Sequence, residues 1–197
     1  MKRSALFYIH QLAGARFVET HGWELPASFG SGQQEVDQII KSVGLVDLSH
    51  YLKFDLRTPP NQLSWRLGVN HYLLFVQPPF LPPAEAIDVT SVYASLRLVG
   101  PWSKDVLNKL TSLNLADAAL PNLSCAQTNV AHVHTIVMRE DIKELPAFHL
   151  LVGREYAEYF WDAIVHAGHE FQLCLFGLEA LQALEPKREA VSNITLR

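Results

Sequence analysis

Apolar residues recur along this chain with two different periods. Between Gln34 and Val43 the apolar positions Val36, Ile39, Ile40 and Val43 fall three and four residues apart, the spacing of one helix face. Gly44 follows, a residue suited to a left-handed helix cap. From Leu48 to Leu56 the pattern becomes alternation: Leu48, His50, Leu52, Phe54 and Leu56 share one side, as in a half-buried strand. Pro59-Pro60-Asn61 interrupts it, and Asn61 is placed to cap a short helix through Leu63 and Leu67. A second strand, His71 to Val76, runs into Gln77-Pro78-Pro79-Phe80-Leu81-Pro82-Pro83. Those prolines can neither donate to a strand ladder nor continue a helix. The stiff stretch is expected to divide the chain into an N-terminal lobe (1–76), a linker (77–87) and a C-terminal lobe (88–197).

The second half opens with a strand from Val92 to Val99, turned by Gly100-Pro101 into a helix ending near Leu110, with Pro101 in its first turn. A connection rich in Asn, Ala and Pro leads to a long strand, Thr128 to Met138. A charged hairpin, Arg139 to Glu144, returns into Phe148 to Val152. Glu155 to Ala167 is an amphipathic helix with Tyr156, Phe160, Ile164 and Ala167 on one face and Trp161 and Val165 beside them. The order β-α-β-β-α predicts a ferredoxin-like half, and the first half gives a shorter version of it. The fold class expected is therefore α+β, with two ferredoxin-like lobes and mostly antiparallel sheets.

Composition narrows the function more than the fold. With 49% hydrophobic and 18% charged residues the chain is globular. A net charge of −4 and no Lys/Arg cluster longer than two argue against nucleic acid. The start, Met1-Lys2-Arg3 and then Ser4 to Ala15, has the outline of a signal peptide, but His10 and Gln11 break its apolar run. It is read as an amphipathic first helix. No stretch reaches the roughly 18 apolar residues of a membrane span. Cys125 and Cys174 lie far apart and read as free thiols in a reducing compartment, which places the protein in the cytoplasm. The sequons at Asn122 and Asn193 then carry no chemistry.

Two motifs at a fixed separation carry a family resemblance. Gly14-Ala15-Arg16-Phe17-Val18 precedes Gly22-Trp23-Glu24-Leu25-Pro26, and after the helix comes Gly44-Leu45-Val46-Asp47-Leu48-Ser49-His50. This order resembles the opening of the T-protein of the glycine cleavage system, the tetrahydrofolate-dependent aminomethyltransferase. Further on, Leu96-Arg97-Leu98-Val99-Gly100-Pro101, Asp105-Val106-Leu107, Cys125-Ala126-Gln127-Thr128, Phe148-His149-Leu150-Leu151-Val152 and Tyr159-Phe160-Trp161 resemble the gamma subunit of heterotetrameric sarcosine oxidase. Together the two likenesses cover most of the chain. They imply a folate-binding fold without the C-terminal β-barrel of the longer T-proteins, and tetrahydrofolate as the cofactor if one is bound.

The family's chemistry, as the resemblance implies it, needs an aspartate near the reactive pterin nitrogen to stabilise developing positive charge. Where it would stand, this chain has His71 to Pro79 and no acid before Glu85 and Asp88. The family's Tyr-Thr-Gly-Glu turn, whose glutamate holds the pterin edge, is replaced by Arg139-Glu140-Asp141-Ile142-Lys143-Glu144-Leu145; Glu144 or Leu145 takes the glutamate's place. The arginine of the family's Gly-Leu-x-Ala-Arg motif is Leu181. A folate-like ligand is accordingly expected, if anywhere, in a cleft between lobes near Trp23, Asp47, Tyr72, Tyr93 and Glu144.

Other clusters are read structurally. Asp47, Ser49 and His50 cannot converge as a triad within one strand, because their side chains divide between its faces; carboxylate and hydroxyl holding backbone amides of a turn is the reading preferred. His132 and His134 form a two-residue pair without a third ligand, so no metal is expected. His166 and His169 lie near a helix C-terminus, where cations suit the dipole. Gly30-Ser31-Gly32 is a lone glycine turn. Trp23 and Trp161 are core anchors. The iron–sulfur-assembly branch of the fold has a Lys-Gly-Cys-Tyr motif that is not present here. Two functions remain: a non-catalytic subunit docked on a larger flavin- or folate-dependent partner through the proline segment and Tyr156, Tyr159 and Trp161, or a minimal tetrahydrofolate-dependent aminomethyltransferase or demethylase.

Overall fold

The computed structural model describes residues 1–60 and 62–185. In chain order the elements are β1 (Lys2–Arg3), α1 (Phe7–Leu12), β2 (Arg16–Thr20), β3 (Trp23–Ser28), α2 (Gly32–Lys41), β4 (Gly44–Asp47), β5 (Leu52–Leu56), β6 (Trp65–Gly68), β7 (His71–Val76) and β8 (Ile87–Asp88). Then follow β9 (Tyr93–Val99), α3 (Ser103–Asn108), β10 (Cys125–Val130), β11 (Val133–Arg139), β12 (Ala147–Gly153), α4 (Ala157–Gly168), β13 (Cys174–Leu175) and α5 (Leu178–Leu184). They build three sheets, β1-β3-β2, β10-β11-β12-β9-β4-β13 and β6-β7-β5-β8, all antiparallel except for the β1–β3 and β4–β13 pairs. The α+β class is as expected, and none of the three sheets closes into a barrel among the described residues.

The six-stranded sheet is covered on both faces. Alternation along its strands sends Leu96 and Leu98 of β9, and Phe148 and Leu150 of β12, to the face packed by α3 and α4. There Val106, Leu107, Phe160, Trp161 and Ile164 complete the largest apolar cluster. The opposite face holds Ser95, Arg97 and Val99 of β9 in register with Leu151, His149 and Ala147 of β12. Two smaller clusters cap it. One is formed by Trp23 and Leu25 of β3, Val36 and Ile39 of α2 and the apolar side of α5. The other is formed by Trp65 and Leu73 of the four-stranded sheet with Ile136, Met138 and Leu151.

Several local expectations are corrected. The helix read from Gln34 ends at Lys41, with Ser42 as its C-cap, and Gly44 opens a strand instead of capping. Its missing side chain is needed for packing, since a Cβ would lie 2.6 Å from Ile39 and 2.7 Å from Phe176. The strand read from Leu48 begins at Leu52, because residues 48–51 turn, with Tyr51 N–H donating to the Leu48 carbonyl at 2.9 Å. The short helix through Leu63 and Leu67 is replaced by strand β6, and its Asn61 cap lies outside the described residues, as does the Asn193 sequon. The long strand from Thr128 is two strands: Ala131 and His132 take positive φ (48° and 65°) and make a two-residue hairpin. The order in this half is thus β-α-β-β-β-α.

The first helix spans only Phe7–Leu12, after a two-residue strand. Tyr156 belongs to a 3-10 turn before α4 and is exposed, whereas Phe160, Trp161, Ile164 and Ala167 are buried as the periodicity predicts. The topology also crosses the boundary expected at residues 77–87. β4 lies between β9 and β13 in the six-stranded sheet, and β8 pairs with β5.

Candidate functional site

Two polar clusters are built into the six-stranded sheet, one on the face packed by α3 and α4, where Asp47 is the register partner of Leu96, and one on the inner face. The first is organised by Asp47 at the end of β4. Its Oδ2 accepts from His10 Nε2 at 3.0 Å and its Oδ1 from the Ser49 backbone N–H at 2.9 Å, while Ser49 Oγ accepts from the Ser95 N–H at 3.2 Å. This is the turn-holding arrangement expected of Asp47 and Ser49. Burial opposes ionisation of Asp47, but the hydrogen bond and charge of His10 together with bonds from Ser4 and Ser49 outweigh it, so the carboxyl stays well below the usual range. His10 sits edge-on to Trp161 at 4.9 Å and to Phe29 at 5.7 Å, which fixes its ring.

Lys53 adjoins this cluster. Its side chain is fully buried, and Nζ donates to the carbonyls of Ser49 at 3.0 Å and Tyr51 at 2.8 Å. Burial brings its pKa down to about 7 against the raising effects of Asp47 and Asp88. Burial likewise lowers His50 to about 4, with the positive charges of Lys53 and His21 adding to it and Asp47 opposing.

The second cluster lies where the six- and four-stranded sheets face each other. Arg97 and His149 are register partners on β9 and β12, and both are buried. The guanidinium of Arg97 pairs through Nη1 with Glu185 and donates through Nη2 to the Glu140 carbonyl at 3.0 Å. His149 Nε2 meets Glu140 Oε2 at 3.1 Å. Phe75, reaching in from β7, contacts His149 at 4.8 Å and Tyr51 at 5.2 Å between ring centroids, with Lys53 Nζ 5.8 Å from its face. The middle of the inter-sheet layer is therefore filled by three rings from this chain.

The five residues singled out from sequence are dispersed. Trp23 is buried in the α2–α5 cluster, under Lys2 at 5.7 Å. Asp47 is sealed by His10 and Ser49. Tyr72 projects from β7 with Leu74 and Val76, on the face turned away from the six-stranded sheet. Tyr93 packs on the Trp65–Leu73 cluster of the inner side, where burial first and Asp55 second raise its phenol. Glu144 is exposed at the tip of the β11–β12 connection, next to Lys143 at φ 56°. No hydrogen bond, ion pair or ring contact joins any two of the five. Two surface concavities of about 370 and 360 Å³ are lined by Pro59, Leu81 and Pro83 with neighbours, and by Lys41, Trp102 and Phe171 with neighbours; neither includes any of the five.

Sequence reasoning missed Lys53, Arg97 and His149. The latter two stand alone within apolar strands, Leu96-Arg97-Leu98 and Phe148-His149-Leu150, which alternation assigns to a solvent face. The one available signal was that central strands of a sheet covered on both sides bury both sets of side chains. His132 sits in the hairpin turn and His134 in β11, and among the described residues no group of three or more His, Cys, Asp or Glu is placed to hold a metal. Both cysteines are free, with burial raising Cys125 and pushing Cys174 up to about 12.

Three mostly antiparallel sheets with helices packed against them define the chain as an α+β protein. The GCVT N-terminal domain matches residues 70–188, well over half of the chain, and the protein belongs to that family. Aminomethyltransferases of Geobacillus sp. (strain WCH70) and Geobacillus kaustophilus are 24% and 28% identical to it, each over 93% of this chain and 63% of their own. The chain thus spans under two thirds of the length of these relatives. The aminomethyltransferase T of the Bartonella henselae glycine cleavage system superposes over 93% of this chain and 61% of its own (TM-score 0.73, 17% identity). A chain of heterotetrameric sarcosine oxidase from Corynebacterium sp. U-96 superposes over 71% of this chain and 92% of its own (TM-score 0.57, 16% identity).

Proposed function

We propose that the protein is an accessory member of the folate-binding-fold family that does not itself turn over substrate. It would serve as a subunit of a larger flavin- or folate-dependent assembly acting on amines or one-carbon units, in the cytoplasm. The observation that carries this reading is the occupied seam. Tyr51, Phe75 and His149 lie together between the sheets, and the acids beside them are committed to the chain's own groups: Glu140 to His149 and Glu185 to Arg97. Glu144, the nearest counterpart of the pterin-binding glutamate, faces solvent. The residues present do not fit tetrahydrofolate, and among the described residues no uncommitted carboxylate is aimed into this seam where an iminium would develop. Near-complete coverage of a chain from a heterotetrameric oxidase supports the subunit reading. No helix is long and apolar enough to cross a membrane among the described residues.

Contact with the partner is assigned to the proline segment, where Leu81 is 91% exposed, and to Tyr156 and Tyr159. Trp161, grouped with them in the sequence, is buried against His10 and takes no part.

The similarity to aminomethyltransferases over 93% of the chain favours a second reading, tetrahydrofolate-dependent transfer. Calorimetry with tetrahydrofolate, run beside a turnover assay with a methylamine-loaded carrier protein, separates the two. We expect no saturable heat and no turnover from the purified chain; folate-dependent turnover would establish the second reading. Copurification from the source cell with a flavin- or folate-containing subunit is the expected positive result, lost when Leu81 and Tyr159 are both changed to Asp.

A further inference from the structure

The end of α2, the turn into α3 and the turn after α4 meet around the concavity of about 360 Å³ lined by Lys41, Ser42, Trp102, Glu170, Phe171 and Gln172. Trp102 is 46% exposed and belongs to none of the apolar clusters, yet its indole is stacked on Phe171, with 5.6 Å between ring centroids and 24° between planes. Phe171 packs against the largest cluster and has Lys109 Nζ 5.8 Å from its ring, so the indole is an outer layer on a fixed base. Hydrogen bonds tie the walls together. Ser42 Oγ donates to the Phe171 carbonyl, Gln38 Nε2 donates to the Gln172 carbonyl at 3.2 Å, and the Trp102 N–H donates to the Ser42 carbonyl at 3.3 Å. Charge in the lining is uneven. Glu170 is paired with Lys109, whereas Lys41 makes no ion pair among the described residues. Lys41 offsets the C-terminal end of the α2 dipole, which leaves its ammonium open to an anion.

We propose that this concavity binds a small planar aromatic carboxylate. The ring system lies against the exposed part of the Trp102 indole, and the carboxylate meets the Lys41 ammonium. The volume falls within the roughly 300–1,000 Å³ of small-molecule pockets and accommodates a bicyclic ring. The sign of the ligand's charge follows from the lining: its one carboxylate is already neutralised by Lys109, so a cation would find no free partner there and an anion finds Lys41. The site goes beyond the subunit reading and is independent of it, since every group involved lies outside the inter-sheet seam and none performs folate chemistry.

Naphthoate is a suitable probe, added to the isotope-labelled full-length chain at constant ionic strength, with naphthamide as its uncharged counterpart. The chain has four tryptophans, and Trp23, Trp65 and Trp161 are buried, so their indole N–H resonances serve as internal controls for Trp102. Naphthoate is expected to shift the Trp102 resonance saturably and to leave the other three in place. In calorimetry Trp102→Ala is expected to weaken naphthoate binding at least about fivefold. Lys41→Gln is expected to weaken naphthoate about threefold while leaving naphthamide unchanged. No saturable shift in wild type, or wild-type naphthoate affinity in Trp102→Ala, overturns the proposal. Should Trp102→Ala not fold, equal naphthoate affinity of wild type and Lys41→Gln overturns it on its own.

Discussion

On one face of the six-stranded sheet Leu96, Leu98, Phe148 and Leu150 interlock with Phe160 and Ile164; on the other, one residue along the same strands, Arg97 pairs with Glu185 and His149 meets Phe75. Both faces are buried, so exposure does not separate them. What separates them is how a side chain is satisfied. The helical face gains from apolar area removed from water, about 25 cal/mol per Å², and tolerates any well-packed replacement. On the inner face a polar atom is stabilised only where it finds a partner, so each member constrains its neighbours. The first face gains from area, and the second from specific pairing.

The comparison can be broken most severely on the apolar side. Phe160→Ala, at a fully buried position, is expected to cost about 3–5 kcal/mol, read as a lower urea midpoint with an unchanged slope. Within that same helical face, Asp47→Asn keeps an acceptor for the Ser49 N–H but weakens the bond to His10, at a cost of about 1–3 kcal/mol at neutral pH. Because folding lowers the Asp47 pKa, its contribution is present above the unfolded value of 3.8 and lost as pH falls below it. Acid titrations of wild type and Asp47→Asn should therefore converge as pH drops.

Lys53 gives the opposite limb. Its pKa is about 7 folded and 10.5 unfolded, so between these values the unfolded chain holds the extra proton and stability rises with pH, by at most about 1.4 kcal/mol per unit. Lys53→Met should flatten that rise; an unchanged slope from pH 7 to 10 would remove Lys53 from the account. His50 acts in the same direction between about 4 and 6.5. The smallest effect is expected at Glu144→Ala, on an exposed hairpin tip, within about 0.5 kcal/mol of wild type in the same urea assay.

Where a sequence period reported a single buried face, it was reliable. The core sides of α2, Ile40 apart, and of α4 follow from spacing alone, and the paired motifs around Trp23 and Asp47 led to the family. Failures have local physical causes. Ala131 and His132 form a hairpin at positive φ without glycine or asparagine, so nothing in residues 128–138 signalled a turn. Trp65 to Gly68 was too short to distinguish strand from helix. The seam was illegible for a different reason: Arg97 and His149 owe their burial to strands and rings distant in sequence, above all Phe75 and Glu185. The five residues inherited from the family pattern were legible as a motif. Their separation followed from tertiary placement that no motif encodes.

β4 has its neighbours on either side in the sheet, β9 and β13, much later in the chain. During synthesis it leaves the ribosome as an apolar strand with both edges unpaired, since local pairing can supply neither. One edge closes after Tyr93–Val99 has emerged, the other only when Cys174 and Leu175 are free. The nascent chain thus carries an unpaired, aggregation-prone edge until Cys174 and Leu175 have emerged, about 130 residues after β4. Production in the cell should depend more on chaperone supply during elongation than on the stability of the finished protein.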